Sequence, residues 1–239
     1  MIPKIIHGVW FGEKPMPEKE KMCIESWKKM MPDYEIMIWN ESNFDINKVR
    51  YVKEAYILKK YAFVSDYVRL WALYNYGGIY LDTDVEVIKP LDDLLSRVVF
   101  CEFETTMVAV TICGAEKKNT WIKELLEEYH DRKFLLPIGA INTVTNLRYV
   151  TNSCERHGLI RDGKHQILDN GLEVFENDYF LPTYHKNGKA DLTENTYTIH
   201  HYSGSWTSKK NTLFSRICYR IKYGSMYWIF YKLIFERKI

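Results

Sequence analysis

Apolar and polar positions follow two periods along the first half of the chain. One is the alternation typical of strands, and the other is the spacing of three to four typical of helices. A proline or glycine after a longer run predicts where a helix ends, as at Gly77-Gly78. The predicted order is a strand in "PKIIHGVWFG", a helix in "MPEKEKMCIESWKKMMP", a strand in "DYEIMIWN", helices in "FDINKVRYVKEAYILKK" and "AFVSDYVRLWALYNYGG", and an interrupted strand in "GIYLDTDVEVI".

The second half shows weaker periodicity. One or two strands are predicted in "RVVFCEFETTMVAVTICGA", an amphipathic helix in "KNTWIKELLEEYHDRK", a helix near 138–157, short strands through "HQILDNGLEVFENDYF", a short strand in "TYTIHHYSGSW", and a basic aromatic helix at the C-terminus. Strands that alternate with helices predict an α/β fold, with a mostly parallel central sheet covered by helices on both faces.

Composition narrows the class of protein. A chain of 239 residues that is 46% apolar and 15% aromatic can bury a large core, and no linker divides it. We expect one domain over residues 1–208, followed by a C-terminal helix over 209–239. The tail carries eight bases and one acid, whereas the rest carries 25 bases and 30 acids. A mildly acidic body argues against a nucleic-acid partner.

The cysteines and the N-terminus bear on the compartment. The five cysteines are scattered and form no C-x-x-C pair, which favours a reducing environment over a disulfide framework or a zinc site. "MIPKIIHGVWFG" lacks a signal-peptide core, and no stretch reaches the roughly 18 apolar residues of a membrane span. We therefore expect a cytoplasmic protein.

Two acids follow the predicted strand "GIYL", and they are the strongest candidate for chemistry. Asp82 and Asp84 lie one residue apart, so an extended chain points both side chains the same way. Two close carboxylates repel unless a cation lies between them, and oxygen ligands suit Mg²⁺ or Mn²⁺. Ligands of open α/β sheets gather at the carboxyl ends of strands. A divalent ion that holds a diphosphate is one interpretation, and a solvated acidic turn is the other.

The preceding helix offers a second pair. Asp66 and Arg69 are three residues apart and share a helix face with apolar neighbours. This pair is either a structural salt bridge or a sugar-binding acid held in place by its base.

The chain resembles a known family on the blocks "IPKIIHGVWFG", "SWKKMMPDYEIMIWN", "YAFVSDYVRLWALYNYGGIYLDTDVEVIKPLDDLL" and "IHHYSGSW". In this order they resemble the DXD-containing glycosyltransferases (glycosyltransferase family 32-like): yeast initiating mannosyltransferases, α-galactosyltransferases and bacterial capsular polysaccharide enzymes. They are also similar to the catalytic domains of large clostridial glucosylating toxins. The likeness is dense over 1–96, returns at 198–206 and is weak between.

The resemblance implies a GT-A-like nucleotide-sugar-binding fold and assigns donor contacts residue by residue. Trp10 matches an aromatic that stacks on the nucleotide base, although a tryptophan at a strand end is often a core residue. Asp66 and Arg69 match the pair at the donor sugar. Tyr80 matches a donor-side tyrosine, and Asp82 an acid that contacts ribose and sugar.

The resemblance also implies a metal site and a closing segment. Asp84 matches the direct ligand of Mn²⁺ or Mg²⁺, with Asp82 beside it. The toxins place an acidic ligand where this chain has His200 and His201, and of these two we expect His201 as the third ligand. Ser205 and Trp206 fall near a serine and a tryptophan that close over the diphosphate.

The implied reaction is retaining transfer of a sugar from a nucleotide diphosphate, UDP favoured, to a glycan or lipid-linked glycan in capsular or extracellular polysaccharide or lipooligosaccharide synthesis. No carboxylate stands out as a nucleophile, which favours front-face return, with the leaving diphosphate helping to deprotonate the acceptor. The alternatives are a metal-dependent phosphotransferase or phosphohydrolase and a non-catalytic carbohydrate-binding module. No Walker-type loop supports the first, and the second leaves the four charged residues unexplained.

The C-terminal segment carries a final prediction. Spacings of three and four would align one helix face, with basic residues to its side; the face consists of Phe214, Ile217, Ile221, Gly224, Trp228, Tyr231 and Phe235. The helix would either pack on the catalytic domain or lie in the interface of an anionic membrane.

Overall fold

The computed structural model describes residues 1–136, 140–182 and 190–203. Met1–Tyr202 forms one compact unit. Ser205, Trp206 and the C-terminal helix over 209–239 lie outside the described residues, so the boundary at 208 stays a prediction. Within the described ranges, no helix has the length and apolar character that crossing a membrane requires.

The first half of the chain folds largely as its pattern predicts. Residues before α2 are an exception, because Asp45 Oδ1 accepts a hydrogen bond from the Asn47 amide at 2.9 Å and holds a turn where a helix was expected. The elements are β1 (Ile5–Val9), α1 (Glu18–Met30), β2 (Glu35–Trp39), α2 (Arg50–Ile57), α3 (Tyr61–Tyr76) and β3 (Gly78–Leu81).

In the second half, the predicted helix near 138–157 is shorter at its start. Ile141 pairs with Leu135 in an isolated β-bridge, and Asn142 Oδ1 accepts from the Val144 amide at 3.2 Å, so residues 141–145 precede the helix, which begins at Asn146. The elements are β4 (Val85–Val87), a 3-10 turn (Asp92–Leu94), β5 (Val99–Glu104), β6 (Met107–Ala115), α4 (Thr120–Glu127), α5 (Asn146–Arg156), β7 (Gln166–Ile167), β8 (Leu172–Phe175), α6 (Asn177–Phe180) and β9 (Thr198–His200).

A seven-stranded sheet with the order β2-β1-β3-β6-β5-β8-β7 forms the centre of the described fold. β1 pairs in parallel with β2 and β3, and β5 pairs in parallel with β8. β6 is antiparallel to both of its neighbours because it returns from β5 in a hairpin, and β7 is antiparallel to β8. Five strands therefore run in one direction, and the predicted mostly parallel sheet is confirmed.

Apolar side chains cover both faces of this sheet. One core cluster contains Leu70 and Leu73 of α3 with Trp121 of α4, and the other contains Trp27 of α1 with Phe180 of α6. These aromatic and aliphatic side chains are almost fully buried. Helices therefore lie on both faces, and the predicted α/β fold class is confirmed.

A single residue, Gly77, joins α3 to β3. Its φ of +71° is a left-handed conformation that favours glycine. A Cβ at this position would lie 2.7 Å from the Lys117 backbone nitrogen, so the joint has no room for a side chain. The tight joint fixes how α3, with Asp66 and Arg69, sits against the strand that leads to Asp82.

Candidate active site

The predicted acidic pair lies where the large sheet gives way to a small one. Asp82 follows β3, and its amide donates to the Thr111 carbonyl of β6 at 3.0 Å. The Val85 amide donates back to the Asp82 carbonyl at 2.9 Å, which closes a turn around Asp84. β4 then leaves this turn and pairs with β9 in a two-stranded sheet. The acids are thus held at the carboxyl end of a buried strand, where α/β folds bind ligands.

One histidine joins the two acids. Ligand atoms of Asp82, Asp84 and His200 all lie within 4.8 Å of one another. His200 Nε2 lies 3.2 Å from Asp84 Oδ1. Two carboxylates and an imidazole are ligands that Mn²⁺ accepts, and the two carboxylates also suit Mg²⁺. The residues present therefore fit a divalent ion at this position.

The structure places His200, and not the expected His201, next to Asp84. His200 is the last residue of β9 and His201 is the first residue after it, and the two side chains have different neighbours. His201 Nε2 instead lies 2.9 Å from Glu86 Oε2, and the His201 amide donates to the Asp84 carbonyl at 3.0 Å. His201 therefore supports the turn through its backbone, and His200 becomes the candidate third ligand.

Arg69 ties the α3 pair to the acidic turn. Its Nη2 lies 3.3 Å from both Asp66 Oδ1 and Asp82 Oδ1. Its Nη1 donates to the Val110 carbonyl at 2.8 Å. Asp66 and Arg69, predicted from their spacing, thus meet Asp82 in one cluster, which we call the α3 cluster (Asp66, Arg69 and Asp82).

Burial governs the electrostatics of the α3 cluster. The side chains of Asp66 and Arg69 are 13% and 8% exposed. Burial raises the pKa of the Asp66 carboxyl to about 6, with Asp82 adding to the shift and Arg69 opposing it. Burial disfavours the charge of Arg69, but the nearby Asp82, Tyr80 and Asp66 outweigh it and raise the pKa of the guanidinium. The cluster therefore holds a fixed cation between two acids.

Tyr80 supports Asp82 from below. Its ring is buried, and its hydroxyl donates to Asp82 Oδ1 and lies 3.1 Å from Ser65 Oγ. The Arg69 guanidinium lies 4.6 Å from the centre of the ring. Burial raises the pKa of the phenol well above its usual range. Tyr80 therefore contacts Asp82 directly, and its predicted contact with a donor stays a prediction.

Trp10 leaves the sheet at the same edge as the acids. It follows β1, which is parallel to β3, so both strands end on the same side. The indole is half-buried, and its Nε1 donates to the Lys14 carbonyl at 2.8 Å. This position is compatible with a base-stacking role, which stays a prediction.

One buried acid near the α3 cluster is not indicated by any sequence motif. Glu102 on β5 is fully buried, and its Oε1 accepts hydrogen bonds from the amides of Thr111 and Ile112. Burial raises the pKa of its carboxyl well above the usual range. The available signal was an acid within the apolar run "VVFCEF", where a charged residue is rarely buried without a partner.

Similar known proteins agree with the resemblance to DXD-containing glycosyltransferases seen in the sequence motifs. Residues 17–100 match a family model described as "Glycosyltransferase sugar-binding region containing DXD motif". Inositol phosphoceramide mannosyltransferase 2 of Schizosaccharomyces pombe is 34% identical over 189 residues, which are 75% of this chain and 54% of that protein. Inositol phosphoceramide mannosyltransferase 3 of the same organism is 36% identical over 106 residues, which are 39% of this chain and 27% of that protein.

The solved structures that are similar to this chain include one named PaToxG Glycosyltransferase. Its sequence identity is 22%, its TM-score is 0.49, and the match covers 65% of this chain and 69% of that one. The present chain spans between 27% and 54% of the length of four of the curated relatives that it matches. The resemblance to DXD-containing glycosyltransferases is confirmed, and glycosyltransferase is the class to which the matching family model and the named relatives belong.

Proposed function

We propose that this protein is a metal-dependent, retaining glycosyltransferase that uses a nucleotide diphosphate sugar. The observation that carries the proposal is the convergence of Asp82, Asp84 and His200 at the end of β3, inside the segment that matches a glycosyltransferase sugar-binding region. Arg69 and Asp66 lie directly beside this group. The arrangement offers a cation site and a sugar-binding acid in adjacent positions.

Each residue has a role that its surroundings support. Asp84, Asp82 and His200 would hold Mn²⁺ or Mg²⁺, and the ion would neutralise charge on the leaving diphosphate. Asp82 contacts the ribose and the donor sugar, and Asp66 accepts hydrogen bonds from sugar hydroxyls. Arg69 keeps both acids in place because its guanidinium is buried and anchored to β6. Trp10 stacks on the nucleotide base.

Retention of configuration fits front-face return better than double displacement. A double displacement needs a carboxylate nucleophile next to the anomeric carbon. Asp66 and Asp82 share the Arg69 guanidinium, which lowers their nucleophilicity. The protein would then position the donor and exclude water, while the leaving diphosphate helps to deprotonate the acceptor hydroxyl.

For the acceptor, we propose a glycan or a lipid-linked glycan of capsular or extracellular polysaccharide or lipooligosaccharide synthesis, in the cytoplasm. The relatives named inositol phosphoceramide mannosyltransferases have a lipid in their names, which supports a lipid-linked acceptor. The basic tail at 209–239 would bring the enzyme to an anionic membrane. Binding to anionic liposomes that is reversed by high salt, and lost on deletion of 213–239, tests this role. Indifference to such liposomes contradicts it.

The central experiment is a hydrolysis assay with a panel of nucleotide sugars, covering UDP-linked and GDP-linked glucose, galactose, mannose and N-acetylated sugars. We expect slow release of the nucleotide from one or two donors in Mn²⁺ and none in EDTA. Hydrolysis of simple phosphate esters would favour a phosphohydrolase. Sugar binding without any donor turnover would favour a carbohydrate-binding module.

A further inference from the structure

β5 and β6 lose their register next to the α3 cluster. Val99 and Phe100 pair with Ala115 and Gly114, but Glu102 pairs with Ala109. Between the Phe100–Gly114 pair and the Glu102–Ala109 pair, β6 therefore contains three more residues than β5. The additional residues form a bulge within Val110–Cys113. Backbone amides in such a bulge lose their strand partners, and a buried amide needs another acceptor.

The side chain of Glu102 provides that acceptor. Its Oε1 accepts from the Thr111 amide at 3.1 Å and from the Ile112 amide at 3.2 Å. Its Oε2 is buried and has no hydrogen-bond partner among the described residues. A neutral carboxyl tolerates such a site far better than a carboxylate, which agrees with the raised pKa of this group. Glu102 thus replaces a missing piece of the β-ladder.

The opposite edge of the same segment holds the candidate site. The Val110 carbonyl accepts from Arg69 Nη1 at 2.8 Å, and the Thr111 carbonyl accepts from the Asp82 amide at 3.0 Å. Glu102 therefore binds the backbone amides of the bulge. The carbonyls of the bulge in turn accept hydrogen bonds from the Arg69 guanidinium and from the backbone of the acidic turn.

We propose that Glu102 is a positioning residue for glycosyl transfer. It acts through the backbone of Val110–Ile112, which it holds in the shape that aligns Arg69 and Asp82 with the donor. This inference rests on the proposed function for its activity readout, although the chain of contacts exists without it. The bulge requires a hydrogen-bond acceptor at residue 102, but it does not require a negative charge there.

Two variants and a matched control test this role in the full-length protein. Glu102→Gln keeps an acceptor oxygen, and we expect kcat for donor hydrolysis within about twofold of wild type. Glu102→Met removes the acceptor at similar volume, and kcat should fall at least about tenfold, with a smaller change in KM for the donor. Thr151→Val is the control, because Thr151 Oγ1 accepts from the Val108 amide of the same strand at 2.9 Å, outside the bulge. It should lower the melting temperature and leave kcat within about twofold.

If Glu102→Met does not fold, Glu102→Asp is measured in its place. Asp keeps the acid and withdraws the acceptor by one methylene, so its kcat should fall while Glu102→Gln keeps activity. Normal kcat in folded Glu102→Met or Glu102→Asp overturns the proposal, as does loss of kcat in Glu102→Gln equal to that in Glu102→Met. If wild type lacks donor hydrolysis, the proposed function fails by itself. Hydrogen exchange of the Asp82 backbone amide then tests the positioning role of Glu102. If Glu102 holds the bulge, exchange should be faster in Glu102→Met than in wild type and unchanged in Glu102→Gln and Thr151→Val.

Discussion

Two clusters of acidic and basic side chains lie in different regions of the described structure, and both pair an arginine with two carboxylates. The α3 cluster lies at the end of β3. The α4–α5 cluster (Glu124, Glu128, Arg156, His157 and Asp169) joins two helices and a following loop. In the second cluster, Arg156 Nη2 lies 2.6 Å from Glu124 Oε1 and 2.8 Å from Glu128 Oε1. His157 bridges Glu124 Oε2 at 2.8 Å and Asp169 Oδ1 at 2.9 Å.

The two clusters differ in burial and in how completely the charges are paired. Arg156 is 52% exposed, and the ion pairs of the α4–α5 cluster are short. Arg69 is 8% exposed, and one of its nitrogens serves two carboxylates at 3.3 Å. Water screens the α4–α5 cluster, whereas the α3 cluster holds poorly screened charge beside an acidic turn. Spacing in the sequence does not show how deeply an ion pair is buried, and burial is what separates these two clusters.

The largest expected effect comes from Asp84→Asn. The proposed divalent ion would lose a ligand in this variant, so donor transfer should fall below a few per cent of wild type at saturating Mn²⁺. The melting temperature of the metal-free protein should stay equal or rise, because one acid of a close pair is removed. Thermal stabilisation by Mn²⁺ should vanish. Asp169→Asn in the α4–α5 cluster is the matched control and should keep activity and the Mn²⁺ response.

A buried cation should matter more to stability than an exposed one. Arg69→Met leaves Asp66 and Asp82 without their cation, and we expect a loss of about 3–5 kcal/mol in the free energy of unfolding. Arg156→Met removes an exposed partner and should cost about 1 kcal/mol or less. Urea unfolding of both variants measures the difference. Equal losses would mean that burial does not distinguish the two clusters.

Trp10→Ala tests whether the edge of the sheet shared by β1 and β3 binds a nucleotide. Stacking on a base contributes roughly 1–3 kcal/mol, so the Kd of the free nucleotide should rise between about fivefold and 150-fold. The Mn²⁺ response in the presence of pyrophosphate should survive, because pyrophosphate has no base. Equal weakening of nucleotide and pyrophosphate would show that the indole is needed for folding and not for stacking.

The smallest effect concerns the pH dependence of the α4–α5 cluster. Its carboxylate neighbours, Glu124 foremost, raise the pKa of His157 above its ordinary 6.5. The stability that protonated His157 contributes is therefore fully present below pH 6.5 and is lost as the pH rises through the raised pKa. His157→Gln should lower the free energy of unfolding by about 1 kcal/mol or less at pH 6 and by nearly nothing at pH 9. A constant difference between pH 6 and pH 9 would contradict this assignment.

The parts of the site that follow from the sequence are those set by local order. The apolar run before Asp82 and the spacing of Asp66 and Arg69 are local patterns, and the structure brings these residues together as expected. His200 and His201 could not be separated, because their roles depend on how β9 pairs with β4, a contact more than 100 residues apart in the chain.

Glu102 was missed for a similar reason. Nothing in its neighbourhood of the sequence shows that β6 contains a bulge whose amides need an acceptor. Before α5, Ile141 pairs with Leu135 in an isolated β-bridge. Helix periodicity alone extends the helix across this pairing, because the competing β-bridge does not appear in the periodicity.

The one-residue joint at Gly77 sets a limit on how the chain can vary in length. One extra residue there would turn α3 by about 100° relative to β3, since a helix has 3.6 residues per turn, and would carry Arg69 away from Asp82. Insertions and deletions at this point would therefore separate Arg69 from Asp82, whatever their sequence.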